Sequence, residues 1–314
     1  MTPLVAALCP LIVGKFNTYL LTEVMIFSIF GASLYLLFGH TGLLSFGHAA
    51  YFGLGAYSTA LCLLHLPDLP LFIALLIGAA SGLLAGLLIG SFLLRLQKIY
   101  FSFGTLAFSQ MLWAIAWKWR SVTGGDDGLT GWSSRMVDIP FVGQFGLSNI
   151  TFLYYLVFSV TAICILSCWY FTRTPLGNTL ASIKSNQNRA NFLGINVGLA
   201  KLALFSFAGL IAGVSGSLFI LFKNIVTPNF LDMFMSFHVV LISVIGGYAN
   251  LLGPIVGSFI YVYMVDYLSS FTKNWPVIMG VFFVLLILFC PGGMIGMFRQ
   301  FSKKVTFLKG KTHL

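Results

Sequence analysis

The sequence is poor in charge, and poorest in acid: 8% of its 314 residues are charged, and only 7 are Asp or Glu. A water-soluble domain surrounds its core with ionisable groups, so a chain of this length with so few is not built to meet water on all sides. It also lacks the clustered acids and bases that general acid–base catalysis uses. The patterns GxSxG, HExxH and GxxxxGK[ST] do not occur, which removes the nucleophile elbow, the helical zinc site and the phosphate loop; the chain carries no ATP-hydrolysing site of its own. The 5 cysteines form no CxxC pair. Cys9, Cys62, Cys164, Cys168 and Cys290 all fall in apolar stretches and read as packing residues. His40 and His48 miss the i,i+4 spacing of helical metal ligands and have no acid beside them, so no metal and no cofactor is expected. Residues 1–14 lack a basic start, so no cleavable signal peptide is expected there.

What the chain has instead is apolar mass: 59% of residues are hydrophobic and the mean hydropathy is +0.97. Segments 18–38, 43–65, 71–94, 99–117, 148–171, 202–222, 236–249, 253–271 and 276–296 are apolar, and 1–14 is a marginal tenth. About 20 apolar residues cross the hydrocarbon layer. Long non-alternating runs favour helices over a barrel, because in lipid each segment must satisfy its own backbone. The expected fold is all-α: a single polytopic transmembrane bundle over 1–314, with about 8–10 spans and broken helices lining a translocation path.

The net charge of +10 does not indicate nucleic acid, since the basic residues are not interleaved with aromatics on a polar face. It fits the positive-inside rule. The loop 172–201 holds Arg173, Lys184, Arg189 and Lys201 and no acid. Placing it in the cytoplasm puts eleven of the 17 basic residues inside, with both termini cytoplasmic. The long loop 118–148 then faces out. Its glycines predict turns and short strands, a hairpin among them, rather than helix. It reads either as a partner-docking loop or as a solvated connector.

Two glycine clusters interrupt the spans: GHTGLLSFGHAAYFGLGAY at 39–57 and IGGYANLLGPIVG at 245–257. Glycine in a membrane helix permits either close packing or a break where backbone lines a cavity. Paired interruptions in two halves of a transporter mark its path. The candidate path residues are Ser45, Gly47, His48, Gly53, Gly55, Tyr57, Gln110, Gly246 and Gly247. For Gly53 and Gly55 packing is the rival reading, and for Gln110 it is glue between helices. His48 also reads as a polar helix residue bonded to a neighbour. Glu23 and Asp266 fall near helix ends, where a wet interface makes charge cheap.

The loop 172–201 also reads as folded. Thr174-Pro175 is a helix start, with a capping hydroxyl and proline at the first position. Leu176, Leu180 and Ile183 form one apolar stripe. The run 186–188 weakens this helix, a second short turn follows over 189–193, and Gly194 stops it. Ala190, Phe192 and Leu193 make an apolar knob, suited either to the membrane surface or to a cleft on a soluble subunit.

These stretches, together with RLQKIYFSFGTLAFSQ, VTGGDDGLTG and SVIGGYANLLGPIVGS, resemble the LivM-type permease subunits of branched-chain amino-acid ABC importers. The match runs in order across about residues 30–260. The closing PGGMIG is similar to the family's helix-ending tail. The resemblance implies a multi-pass subunit of the bacterial inner membrane, paired with a second, LivH-type permease. It implies two cytoplasmic ABC ATPases that bind the ATP, and a periplasmic binding protein that delivers substrate. It places ATPase coupling on Ile183, Arg189, Ala190, Phe192, Leu193 and Gly194, and binding-protein docking on Gly124, Gly125, Asp126, Asp127 and Gly128. The coupling stretch lacks the family's acids, which implies a less basic partner surface. Branched-chain amino acids are the expected cargo, moved by alternating access. Urea or a short amide is the alternative, and a passive channel for small neutral solutes is the rival of another class.

Overall fold

Helix α1 (Lys15–Thr41) and helix α9 (Val197–Lys223) are both apolar on every side, and both are buried along most of their length. A helix that is hydrophobic all round belongs in the middle of a bundle, and these two form its centre. The structure, a computed structural model, describes residues 14–296 except 67, 94, 97, 133–135, 140–142, 147–148, 249, 290–292 and 295. The expected segment at 1–14 lies outside the described residues but for Gly14, and the tail from 297 lies wholly outside them.

Around this centre run α2 (Ala49–His65), α3 (Leu71–Leu93), α4 (Lys98–Lys118), the single turn α5 (Arg120–Thr123), α6 (Ile150–Arg173), α7 (Pro175–Ser185), α8 (Gln187–Phe192), α10 (Met233–Gly246), α11 (Gly253–Phe271) and α12 (Trp275–Phe289). Each apolar segment expected between 18 and 296 contains a helix, although 43–48 is not helical. Among the described residues, five helices are long and apolar enough to cross a membrane: α1, α3, α4, α6 and α9. Helix α10 has 14 residues and spans about 21 Å at 1.5 Å per residue, short of the roughly 30 Å hydrocarbon core.

Helix α3 explains the packing. Its buried positions include Gly78, Ala79, Gly82, Ala85, Gly86 and Gly90, while Phe72, Leu76, Leu84, Leu88 and Phe92 are exposed. Small residues face protein and large apolar ones face outward, as membrane helices arrange them, because lipid is as apolar as leucine and close backbone approach supplies the attraction. A side chain at Gly82 would strike the backbone of Gly209 and Gly213 on α9, and one at Gly55 of α2 would strike Gly213. Helices α2, α3 and α9 thus meet backbone to backbone. Hydroxyls bridge the same crossing: Thr59 Oγ1 donates to Ser217 Oγ at 2.8 Å, and Ser217 Oγ bonds the carbonyl of Gly213 at 2.9 Å.

The expected hairpin in the loop 118–148 is present: β1 (Met136–Ile139) pairs antiparallel with β2 (Gly143–Gly146). The loop is not free of helix, since α5 opens it and a 3₁₀ turn follows at Gly125–Asp127. It is tied to the bundle by a bridge between Leu129 and Val226 and by buried Trp132, whose Nε1 donates to the carbonyl of Ile220 at 3.2 Å.

Candidate functional site

Two helix breaks carry the site. The first lies between the end of α1 and the start of α2. Gly42 takes φ +71 and ends α1 in the left-handed conformation, and residues 42–48 are not helical. Backbone at this depth must find partners inside the protein. Thr105 Oγ1 on α4 accepts from the amides of Phe46 and Gly47 at 3.2 and 3.4 Å. Ser102 Oγ donates to the carbonyl of Leu44 at 2.6 Å, and Ser236 Oγ on α10 accepts from the amide of Ala49 at 2.9 Å. Gly47 has no room for a side chain, because a Cβ would meet the Thr105 backbone.

His48 closes this break. It is fully buried, its Nε2 lies 2.7 Å from Ser33 Oγ, and its ring stacks on Phe30. The sequence expects a polar helix residue bonded to a neighbour; the bond is present, but His48 lies in the turn just before α2. Ser45 Oγ, His48 Nδ1, Tyr51 Oη and Tyr57 Oη are buried without a hydrogen-bond partner, an unusual gathering of unmatched polar atoms in a membrane bundle.

The second break separates α10 from α11. Gly247 takes φ +99, Gly246 packs directly on the backbone of Gly253, and Pro254 occupies the first turn of α11. The breaks are neighbours at one end of the bundle: Phe38 and Tyr248 meet edge to face at 4.9 Å between centroids.

Other sequence-derived candidates go elsewhere. Gly53 sits where a side chain would hit Leu231, and Gly55 where it would hit α9, so both occupy close helix crossings. Gln110 donates from Nε2 to Asp232 Oδ1 at 3.1 Å, and Asp232 caps α10, which matches the role of glue between helices.

The basic loop folds as expected and then docks. Thr174 Oγ1 caps α7 by accepting from the amide of Gly177 at 3.3 Å. Asn186 is itself a cap, its Oδ1 accepting from the amide of Arg189 at 3.0 Å; the run that weakens α7 starts α8. Leu180 and Ile183 are buried against α1 and α6, whereas Leu176, the first residue of the expected stripe, is exposed. Ala190 corrects the expected knob: it is buried at 3% exposure, whereas Phe192 and Leu193 are 90% and 75% exposed. Its small side chain faces the bundle, and the knob is Phe192 and Leu193 alone. Gly194 stops α8 with φ +78 and open space around it, so its backbone angle rather than its size is what the fold requires there.

Lys184 joins the loop to the first break. Its Nζ donates to the carbonyl of Gly39 at 2.7 Å, one of the last-turn carbonyls of α1 that no intrahelical amide serves. Between them opens a cavity of about 660 Å³ lined by Thr41, Gly42 and Leu43 on one side and 183–188 on the other. Arg95, Lys184 and Lys201 line it with no acid; Lys201 is buried and reaches Gln187 Oε1 at 2.9 Å.

At the opposite end, Gly124, Gly125 and Gly128 take positive φ. A side chain at Gly128 would strike Val226. Asp126 and Asp127 are exposed. The glycines shape the loop and the two acids present its surface. Sequence reasoning missed an ion pair at this end, Lys223 Nζ to Glu23 Oε1 at 3.0 Å, because its partners are 200 residues apart in the chain.

The chain matches the profile of the family described as "Branched-chain amino acid transport system / permease component" over residues 17–290. It is 25% identical over 327 residues to the high-affinity branched-chain amino acid transport system permease protein LivM of Escherichia coli K12, covering 96% of this chain and 75% of that protein. It is 24% identical over 332 residues to the protein of the same name from Salmonella typhimurium LT2, covering 98% and 76%. No solved structure matches it.

Proposed function

Since the chain belongs to the family of branched-chain amino acid transport permeases, and is a LivM-type permease rather than an enzyme, we propose that it forms half of an inner-membrane importer's translocation path, worked by alternating access. Two partner ATPases push on α7 and α8, a second permease completes the path, and a soluble binding protein delivers the amino acid at the hairpin end. The loop 172–201 is cytoplasmic and 118–148 periplasmic.

One observation supports this reading most: the bond from Lys184 Nζ to the carbonyl of Gly39. It fastens the coupling element to the end of α1, beside the break at 42–48. A push on Phe192 and Leu193 is thereby transmitted to a segment of irregular backbone, where small rotations of φ and ψ are least costly.

Lys184→Met tests it in the transporter assembled with its partners. A hydrogen bond from a charged donor at an exposed position is worth about 1 kcal/mol, so leucine uptake per ATP hydrolysed should fall about fivefold while the assembly stays intact. An unchanged ratio overturns the coupling. Uptake assays with leucine, isoleucine, valine and urea test the cargo: transport of urea alone overturns the amino-acid reading. Uptake without the ATPases makes the chain a passive facilitator.

A further inference from the structure

The end of the bundle that carries the hairpin opens into a cavity of about 370 Å³, within the range of roughly 300–1,000 Å³ typical of small-molecule sites. It differs from the basic cavity at the other end in carrying both signs of charge. Lys223 and Glu23 form an ion pair in its wall, and Asp266 of α11 lines it as well. Among the described residues, no ion pair or hydrogen bond engages the Asp266 carboxylate. Glu23 is not at a wet helix end. It lies eight residues past Lys15, about 12 Å along α1, and its side chain is only 17% exposed. An ionisable group placed that far into an apolar helix marks a solute path more often than it stabilises a fold.

The rest of the wall is mostly apolar and aromatic, with His238 and Ser269 also lining it. Lys223 Nζ bonds Tyr19 Oη at 3.2 Å and lies 4.7 Å from the ring centre of Phe222, a cage that fixes the ammonium in place. Phe27, Val262 and Trp275 face the same space. A held cation, an unpaired carboxylate and an apolar wall together match one chemical class. That class is a zwitterion with a hydrocarbon side chain. A neutral amide gains nothing from the charges, and an anion meets two carboxylates.

We propose that this cavity is an entry subsite for an aliphatic α-amino acid. Lys223 takes the α-carboxylate, Asp266 takes the α-ammonium, and the wall of Phe27, Val262 and Trp275 takes the side chain. Glu23 is a positioning residue: it holds Lys223 until the carboxylate arrives and displaces it. The proposal rests on the amino-acid import reading above.

The test uses the complete transporter in proteoliposomes, with leucine-loaded binding protein at saturation so that delivery is not limiting. Asp266→Asn keeps the shape and removes the charge. It should lower leucine uptake about tenfold, the loss of one charged contact, while ATP hydrolysis stimulated by the binding protein persists. Asp266→Glu should restore much of the uptake, which a purely structural role for Asp266 would not produce. Lys223→Gln should match Asp266→Asn in direction. If Asp266→Asn transports leucine at the wild-type rate, the subsite is wrong and the import reading stands. If the wild type takes up no leucine, the import reading fails and the subsite with it.

Discussion

Phe46 and Gly47 sit in a stretch that is not helical, and both amides are served by one side chain from α4. Thr105 Oγ1 is the acceptor for both. Thr105→Val keeps the shape but leaves one buried and one partly buried donor without an acceptor, which costs about 1–3 kcal/mol for a buried group that cannot find another. The purified protein should therefore unfold several degrees lower in a thermal melt. Ser91→Ala serves as the comparison. Ser91 is exposed and its hydroxyl bonds only the carbonyl of Leu88 in its own helix, so its loss should stay within about 0.5 kcal/mol. Equal melting temperatures for Thr105→Val and the wild type would mean that the break does not depend on this hydroxyl. Nothing about Thr105 singles it out in the sequence. A threonine two turns inside an apolar helix looks like any other, and its role appears only when 42–48 lies against it.

The helices α7 and α8 show what sequence can and cannot tell about an element. Their caps were legible, because Thr174-Pro175 and Gly194 announce a start and a stop by local chemistry alone. The face that α7 buries was legible too, since Leu180 and Ile183 follow helical spacing. What covers that face was not, and neither was the direction of Ala190, because both depend on how α8 turns after Asn186. That direction changes how coupling is tested. Ala190→Glu would force a charge into a packed site, and the resulting defect would report on folding. Phe192→Ser changes a side chain that is 90% exposed, so the melting temperature of the permease should not move. Copurification of the ATPase subunits should weaken roughly tenfold, as for an exposed aromatic anchor. Unchanged copurification would remove Phe192 from the docking surface. Gly194→Asn should be tolerated there and Gly194→Val should not, because asparagine adopts positive φ far more readily than a β-branched residue.

For the whole molecule, charge supplied an orientation that the packing of helices leaves open. By positive-inside bias, we propose that 172–201 is cytoplasmic and 118–148 outside. Cysteine substitutions with a membrane-impermeant maleimide decide it in intact spheroplasts. Asp126→Cys should react and Ser182→Cys should not, both positions being exposed; the reverse pattern would invert the molecule. The described native cysteines interfere little, since Cys164 and Cys168 are buried and Cys62 is partly so. The apolar segments were legible because hydropathy is additive along a chain. The mixed-charge cavity was not, because Glu23, Lys223 and Asp266 arrive from three helices far apart in the sequence.

Helices α3 and α9 touch backbone to backbone where Gly82 meets Gly209 and Gly213. Side chains at an interface can switch rotamer and let two helices slide; bare backbones leave nothing to switch. The pair therefore behaves as a mast, fixed in length and angle through the transport cycle. In the proposed alternating-access cycle, motion that opens one end of the molecule and shuts the other turns about this pair, at the irregular backbone of 42–48 and at Gly247. A residue larger than glycine at position 82 or 209 would splay the mast itself, and every state of the cycle would suffer together rather than one.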